Sequence, residues 1–290
     1  CELALQPINA FKLDAAILFS DILTIPDSFG LGVEFVEKEG PVFNNPINSS
    51  TDISNLDHFD PESLDYVYKA VKNIKNSLPE EIPLIGFCGS PWTLAAYSIE
   101  GRSSKDFKKT LNFLLSNQED VHNLLTKYTD ACFLYLRRQV QSGADVIQIF
   151  DSWANLLTKE GLIEYSFNYI NALISALKLD PVTKNIPVII FARNPKCNIE
   201  GLINTSADCI SLFWSMNDLN FELAKNKVAI QGNLDPKILL ESDEIIKRET
   251  YKILEKFEKY PGYIFNLGHG ITPDINPDKI KYLTNIVREY

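Results

Sequence analysis

Short, almost continuously apolar runs alternate along the chain with longer segments whose apolar positions recur at helical spacing. The strand-like runs fall at residues 15–19, 84–88, 146–150, 188–191, 209–213, 228–231 and 263–266. Apolar residues fill consecutive positions in them, the pattern of strands covered on both faces, as in a parallel sheet. Between them a 3.6-residue period predicts helices over 61–77, 92–100, 105–141, 159–179, 218–225, 238–259 and 278–290. Two of these starts are punctuated: Asp60 is placed as an N-cap with Pro61 at the first helical position, and Ser90-Pro91 repeats the signature. Residues 37–56, polar and rich in Asn, Ser and Pro, read as a long loop at one mouth of the fold.

The β-then-α units follow one another without a Gly/Ser/Pro-rich linker, so residues 1–290 read as one domain. Two α/β architectures accept such a run: a doubly wound open sheet and a (β/α)8 TIM barrel. The dinucleotide fingerprint of the open sheet is missing, because Gly30-Leu31-Gly32 has Phe35 where the third glycine belongs. The barrel is therefore the expectation. It needs eight strands, and the chain supplies seven candidates, which places the expected first strand before Cys1.

Charge and composition narrow the function. With 28 Lys+Arg against 38 Asp+Glu the net charge is −10, and no basic run exceeds two residues, so a nucleic-acid partner is not expected. No apolar stretch reaches the ~18 residues of a membrane span. Cys1, Cys88, Cys132, Cys197 and Cys209 are scattered with no C-x-x-C pair and read as reduced thiols, which points to a cytoplasmic protein.

In a barrel the chemistry gathers at the carboxyl ends of the strands. Those positions carry Ser20-Asp21, Gly89-Ser90, Asp151-Ser152, Arg193, Trp214-Ser215, Asn233 with Asp235, and His269. They contain no P-loop and no H-E-x-x-H pair, and Gly89-Ser90-Pro91 lacks the second glycine of a nucleophile elbow. His58 and His122 read as solvated surface residues. His269 stands between Gly268 and Gly270, which allow close approach of a ligand. Asp21 follows an apolar strand and precedes Ile22-Leu23, so it is poorly solvated; a functional carboxylate and a helix cap are both open to it. Tyr97, two turns into a short helix, reads on spacing alone as a core residue. This set suits a cofactor-free lyase or isomerase, or a binding barrel, and spacing goes no further.

Several strings are more specific. Residues 11–43 (FKLDAAILFSDILTIPDSFGLGVEFVEKEGPVF), GFCGSPWTLAAYSIEG at 86–101, ADVIQIFDSWANLLT at 144–158, VAIQGNLDP at 228–236 and YIFNLGHGITPDINP at 263–277 resemble the uroporphyrinogen decarboxylase family, in family order and across the chain. The resemblance implies a (β/α)8 barrel that removes CO2 from the acetate side chains of uroporphyrinogen to give coproporphyrinogen, without metal or cofactor, as a homodimer. By matching motif, Asp21 resembles the aspartate that accepts the pyrrole N–H groups, and Tyr97 the tyrosine beside it; these two are the implied catalytic residues. Ser152 resembles the hydroxyl that meets a substrate carboxylate, and His269 the histidine at the pocket rim. Phe19, Ile85 and Phe87 are implied for the apolar floor.

The chain also departs from the family pattern. The family's arginine-rich segment would precede Cys1, Phe213 stands where many relatives have aspartate, and Arg193-Asn194-Pro195 replaces a Lys-Gly-Gly-like loop. Arg102 and Arg193 are then the best-placed cations for substrate carboxylates. Two competing readings are a zinc- and corrinoid-linked methyltransferase relative, against which Ile271 occupies the cysteine position of a His-x-Cys pair, and a non-catalytic tetrapyrrole-binding barrel.

Overall fold

Each apolar run predicted as a strand forms one. In chain order the strands are β1 (Ala16–Ile17), β2 (Val33–Val36), β3 (Gly40–Phe43), β4 (Leu84–Gly89), β5 (Val146–Asp151), β6 (Val188–Ala192), β7 (Cys209–Ser211), β8 (Ala229–Gln231) and β9 (Tyr263–Ile264). The computed structural model describes residues 2–37, 39–56, 58–193, 199–216 and 221–290. Cys1, Cys197, the Asn194-Pro195 pair and residues 218–220 of the expected helix over 218–225 lie outside them.

Seven strands form one sheet in the order β1-β4-β5-β6-β7-β8-β9, every pair parallel. The spatial order follows the chain order, with helices Asp65–Ser77, Pro91–Glu100, Gln118–Gln141, Asn168–Leu179 and Asp243–Phe257 among the crossovers. This is the βα succession of a TIM barrel, here a curled half-barrel whose β1 and β9 are both edges of the sheet.

Alternation along the strands separates two faces. On β4, Leu84 and Cys88 are fully buried toward the helices, and on β5 so are Ile147, Ile149 and Asp151. The intervening residues, Ile85 and Phe87 on β4 and Gln148 and Phe150 on β5, point to the concave side. That concave face is open at the sheet edges: Ile17 is 42% exposed, Phe19 71% and Ile264 45%.

One buried side chain completes β4 where its neighbour stops. Leu18 N donates to Ile85 O, so Ile85 faces β1, and Phe87, two residues on, faces the same edge beyond the paired part of β1. Gln139, fully buried on helix Gln118–Gln141, takes the place of the missing strand. Its Oε1 accepts from Phe87 N at 3.0 Å and its Nε2 donates to Phe87 O at 2.9 Å. Gly86 leaves the room for this amide, since a Cβ there would lie 2.5 Å from Gln139 Oε1.

The structure corrects several expectations. Residues 37–56 are not one irregular loop: they contain β3, which pairs antiparallel with β2, and helix Ser50–Ser54, opened by a capping box between Ser49 and Asp52. The predicted helix over 105–141 is two, Lys108–Ser116 and Gln118–Gln141, because Asn117 leaves helical angles at φ −140° and ψ 50°. His122 is not simply solvated. Its Nδ1 lies 2.7 Å from the Tyr169 hydroxyl and its ring stacks on Tyr165 at 5.0 Å. The described cysteines Cys88, Cys132 and Cys209 are buried free thiols, and no helix among the described residues is long and apolar enough to cross a membrane.

Replacing Gln139 with Leu keeps the volume but orphans two buried backbone groups. The variant is expected to lose roughly 2–4 kcal/mol of stability, read from urea denaturation midpoints at unchanged m-value.

Candidate active site

The site is built on the junction between β5 and the helix that follows β4. Ser90 is the N-cap of helix Pro91–Glu100, accepting from Thr93 N at 3.0 Å, while Pro91 presets the first turn. Asp151, at the end of β5 and fully buried, faces that first turn. Its Oδ1 accepts from Ser90 Oγ at 2.8 Å and Thr93 Oγ1 at 2.9 Å, and its Oδ2 accepts from Ser166 Oγ at 2.5 Å. Burial pushes the Asp151 carboxyl pKa up, and the three hydroxyls pull it back. The next residues are tied to the same turn: Trp153 N donates to Thr93 Oγ1 at 3.3 Å and Trp92 Nε1 donates to Trp153 O at 3.0 Å.

This junction fixes Tyr97, because Thr93 and Tyr97 are one helical turn apart on the same face. The Tyr97 ring meets Trp153 edge-on at 5.7 Å and Phe107 at 5.8 Å. The tyrosine is therefore half core residue and half rim. Burial pushes its phenol pKa up; the Trp153 indole lowers it, the Asp21 charge raises it and the Arg193 charge lowers it. Asp21 and Arg193 thus act on the phenol in opposite senses.

Asp21 lies just beyond β1, half-buried in a turn. One oxygen, Oδ1, accepts from Leu23 N at 2.7 Å, and the Thr24 hydroxyl donates to the Asp21 carbonyl at 3.1 Å. Oδ2 makes no protein hydrogen bond among the described residues. The cap and the functional carboxylate are thus compatible, one oxygen for each. Burial raises the Asp21 pKa, opposed by the Leu23 hydrogen bond.

From Tyr97 an arc of aromatic contacts runs around the rim. Arg193 follows β6, its N donating to Asp151 O at 3.0 Å, and its guanidinium lies 5.7 Å from the centre of the Trp153 ring and 5.6 Å from that of Phe213. Phe213 in turn meets the His269 ring edge-on at 5.8 Å. Below this arc Phe87, Phe150, Phe191 and Phe213 touch in succession at 5.6, 6.1 and 6.4 Å, a wall contributed by consecutive strands. Phe87 belongs to this wall, Ile85 lies beneath it opposite Ile17, and Phe19 projects from the open edge.

His269 is exposed, with Nδ1 3.4 Å from Gly270 O. Gly268 places it: a Cβ there would overlap the backbone of Trp214, so only glycine lets the chain run that close to Trp214. Gly270 has open space around it and needs no such freedom.

Asp21, Tyr97, Ser152 and His269 thus lie on one rim, the carboxyl-end rim of the sheet; Ser152 stands half-buried between Asp151 and Trp153. Two other strand-end residues serve the local fold. Asp235 caps the 3-10 turn Pro236–Leu240, and Asn233 Nδ2 donates to Phe213 O at 3.2 Å. Arg102 is bridged to Val42 of β3 and pairs with Glu39 at 3.6 Å. Among the described residues no group of three or more His, Cys, Asp and Glu side chains gathers as a metal site. A concavity of about 500 Å3 opens at the opposite mouth, beside Ala207, Asp208 and Val228, and contains none of these rim residues. Sequence reasoning missed the hub role of Asp151 and the place of Trp153; a buried acid beside Ser90-Pro91 in the next unit was the available signal.

A parallel half-barrel with an acid, a phenol, an imidazole and a guanidinium on its carboxyl-end rim is the arrangement of a barrel enzyme. The family described as uroporphyrinogen decarboxylase (URO-D) matches residues 1–290, and the chain belongs to it. A uroporphyrinogen decarboxylase from Ruthia magnifica subsp. Calyptogena magnifica is 44% identical over 100% of this chain and 84% of its own length. Another, from Legionella pneumophila (strain Corby), is 43% identical over 100% of this chain and 82% of its own. Among solved structures, a methyltransferase from Methanosarcina mazei superposes with a TM-score of 0.78 at 18% identity, covering 99% of this chain and 84% of that one. A B12-independent methionine synthase from Shewanella sp. W3-18-1 reaches 0.59 at 14% identity, covering 99% and 86%. At those identities the likeness shows a shared fold alone.

The raised pKa of Asp21 gives a stability prediction. Between the ordinary carboxylate value and its folded pKa the native state holds a proton that the unfolded chain releases, so stability falls as pH rises through that window. Asp21→Asn keeps an acceptor for Leu23 N and removes the ionisation. The variant is expected to melt above the wild type at pH 7, with the difference shrinking as the pH is lowered toward 4 in thermal melts.

Proposed function

We propose that this protein removes CO2 from the acetate side chains of uroporphyrinogen, giving coproporphyrinogen. Family membership across the whole chain carries the reading, and the rim supplies groups suited to it. A carboxylate leaves an sp3 carbon only if the electron pair of the broken C–C bond has somewhere to go. Protonating the pyrrole carbon next to the acetate-bearing position makes the ring a cationic sink, so the substrate serves as its own cofactor. The pair flows into the ring as CO2 departs, a proton is added at the exocyclic carbon, and loss of the ring proton restores the pyrrole.

Asp21 stabilises the ring cation by accepting pyrrole N–H groups on its free oxygen, in a half-buried site where charge interactions are strengthened. Its job requires the ionised form, and the N–H donors offset the burial that raises its pKa. Tyr97, held beside it through Thr93 and Trp153, orients the reacting acetate. Ser152 and His269 meet other carboxylates around the macrocycle, and the Phe87–Phe213 wall receives its apolar faces.

Anaerobic incubation with uroporphyrinogen, followed by chromatography of the oxidised products, tests the activity. Coproporphyrin is the expected end product, and an unchanged eight-carboxylate pool would overturn the reading. Asp21→Asn is expected to lower kcat by roughly 10²–10³-fold, the scale of one lost electrostatic stabiliser. His269→Ala should act mainly on KM.

The same reading places the protein in the cytoplasm as a homodimer. Sedimentation equilibrium should give a mass of two chains; a single-chain mass across the micromolar range would remove the dimer.

A further inference from the structure

The chain contains six arginines, Arg102, Arg137, Arg138, Arg193, Arg248 and Arg288, and they are used in two different ways. Five of them are spent on carboxylates: Arg102 on Glu39 at 3.6 Å, Arg137 on Asp180 at 3.0 Å, and Arg138 on Glu62, Arg248 on Glu249 and Arg288 on Asp14 at 2.9 Å each. Arg193 has no carboxylate within ion-pair distance among the described residues. It is held by ring faces, Trp153 at 5.7 Å and Phe213 at 5.6 Å.

We infer that Arg193 is the cation that receives a peripheral carboxylate of the substrate, on the rim between Tyr97 and His269. The inference deepens the decarboxylase reading and rests on it. Aromatic faces position a guanidinium without neutralising it, because they engage its plane and leave the N–H fork at its edge unpaired. That fork matches a carboxylate in geometry and charge. In a chain of net charge −10, an arginine left without an acid stands out as a place where an anion gains a partner. The backbone of Arg193 is anchored as well, since its N donates to Asp151 O at 3.0 Å at the end of β6.

Position gives the ligand class. Arg193 shares Trp153 with Tyr97 and Phe213 with His269, so it stands midway along the arc that joins two of the candidate substrate groups. With the macrocycle centred on Asp21 through its N–H groups, its acid-bearing arms project outward to that arc. The rings beneath Arg193 are phenylalanines, which offer an anion no charge, so the guanidinium is the described group there that distinguishes an acidic arm from an uncharged one.

Three variants test this. Arg193→Gln removes the charge, Arg193→Met keeps an apolar stem over Trp153 and Phe213 without it, and Arg193→Lys keeps the charge without the fork. Two readouts are used: steady-state kinetics with uroporphyrinogen, and dissociation constants for uroporphyrin from quenching of tryptophan fluorescence. The uncharged variants are expected to raise KM and the dissociation constant roughly tenfold to a hundredfold, the loss attached to one charge-assisted hydrogen bond. The effect on kcat should be smaller, and Lys should recover part of the binding. Unchanged KM and dissociation constant in a folded Gln or Met variant would overturn the inference. So would a fall in kcat with unaltered binding, which would mean that Arg193 acts only by holding Trp153 and Tyr97. Loss of folding in Gln leaves Met as the charge test. If the wild type makes no coproporphyrinogen, the functional reading fails separately, and the uroporphyrin titration still decides whether Arg193 binds a carboxylate.

Discussion

A carboxylate sealed from water, Asp151, holds together the part of the molecule on which the candidate chemistry depends. An ionised acid at full burial is costly unless its lone pairs are satisfied. Here three hydroxyls do so, two from the first turn of helix Pro91–Glu100 and one from Ser166 on a later helical segment. Each of those hydroxyls is thereby committed, and with it the angle at which the helix leaves β4. Tyr97, Trp153 and the Arg193 backbone all inherit their positions from this junction. Strand end, helix start and rim are one mechanical unit because they share one acid.

The rim itself combines an apolar wall with few charges. Four phenylalanines from consecutive strands leave a tetrapyrrole ring an extended surface, and Asp21, Arg193 and His269 are spaced around it. The charges work against one another at Tyr97, where Asp21 raises and Arg193 lowers the phenol pKa. A ligand that is cationic at its centre during reaction and anionic at its edge answers both charges at once. That division of sign matches what the decarboxylation of a pyrrole acetate requires of its surroundings.

Much of the fold was legible in the hydrophobic pattern. Every apolar run became a strand because a parallel sheet covered by helices imposes continuous apolarity, which a half-exposed strand does not share. Boundaries were less legible: β1 and β9 are only two residues long within longer apolar runs, because hydrogen-bond pairing with a neighbour, not hydrophobicity, sets where a strand ends. The break at Asn117 inside a continuous helical pattern is not legible for a similar reason, since a 3.6-residue period carries across a one-residue interruption. Arg102 and Arg193 looked alike in sequence, and only the Glu39 partner of the first tells them apart.

By itself the sequence determined the βα succession, the family, and which side chains sit at strand ends, because these depend on local pattern and on strings of neighbouring residues. Tertiary structure decided what each strand-end residue does. Asp21 gives one oxygen to a turn and leaves the other without a protein hydrogen bond among the described residues; Ser90 serves Asp151; Gly268 is needed for Trp214 and not for its own angles; and Arg193 is the arginine left without an acid among the described residues. Partners of that kind come from elements far apart in the chain. Their availability depends on how the sheet curls, which no window of sequence contains.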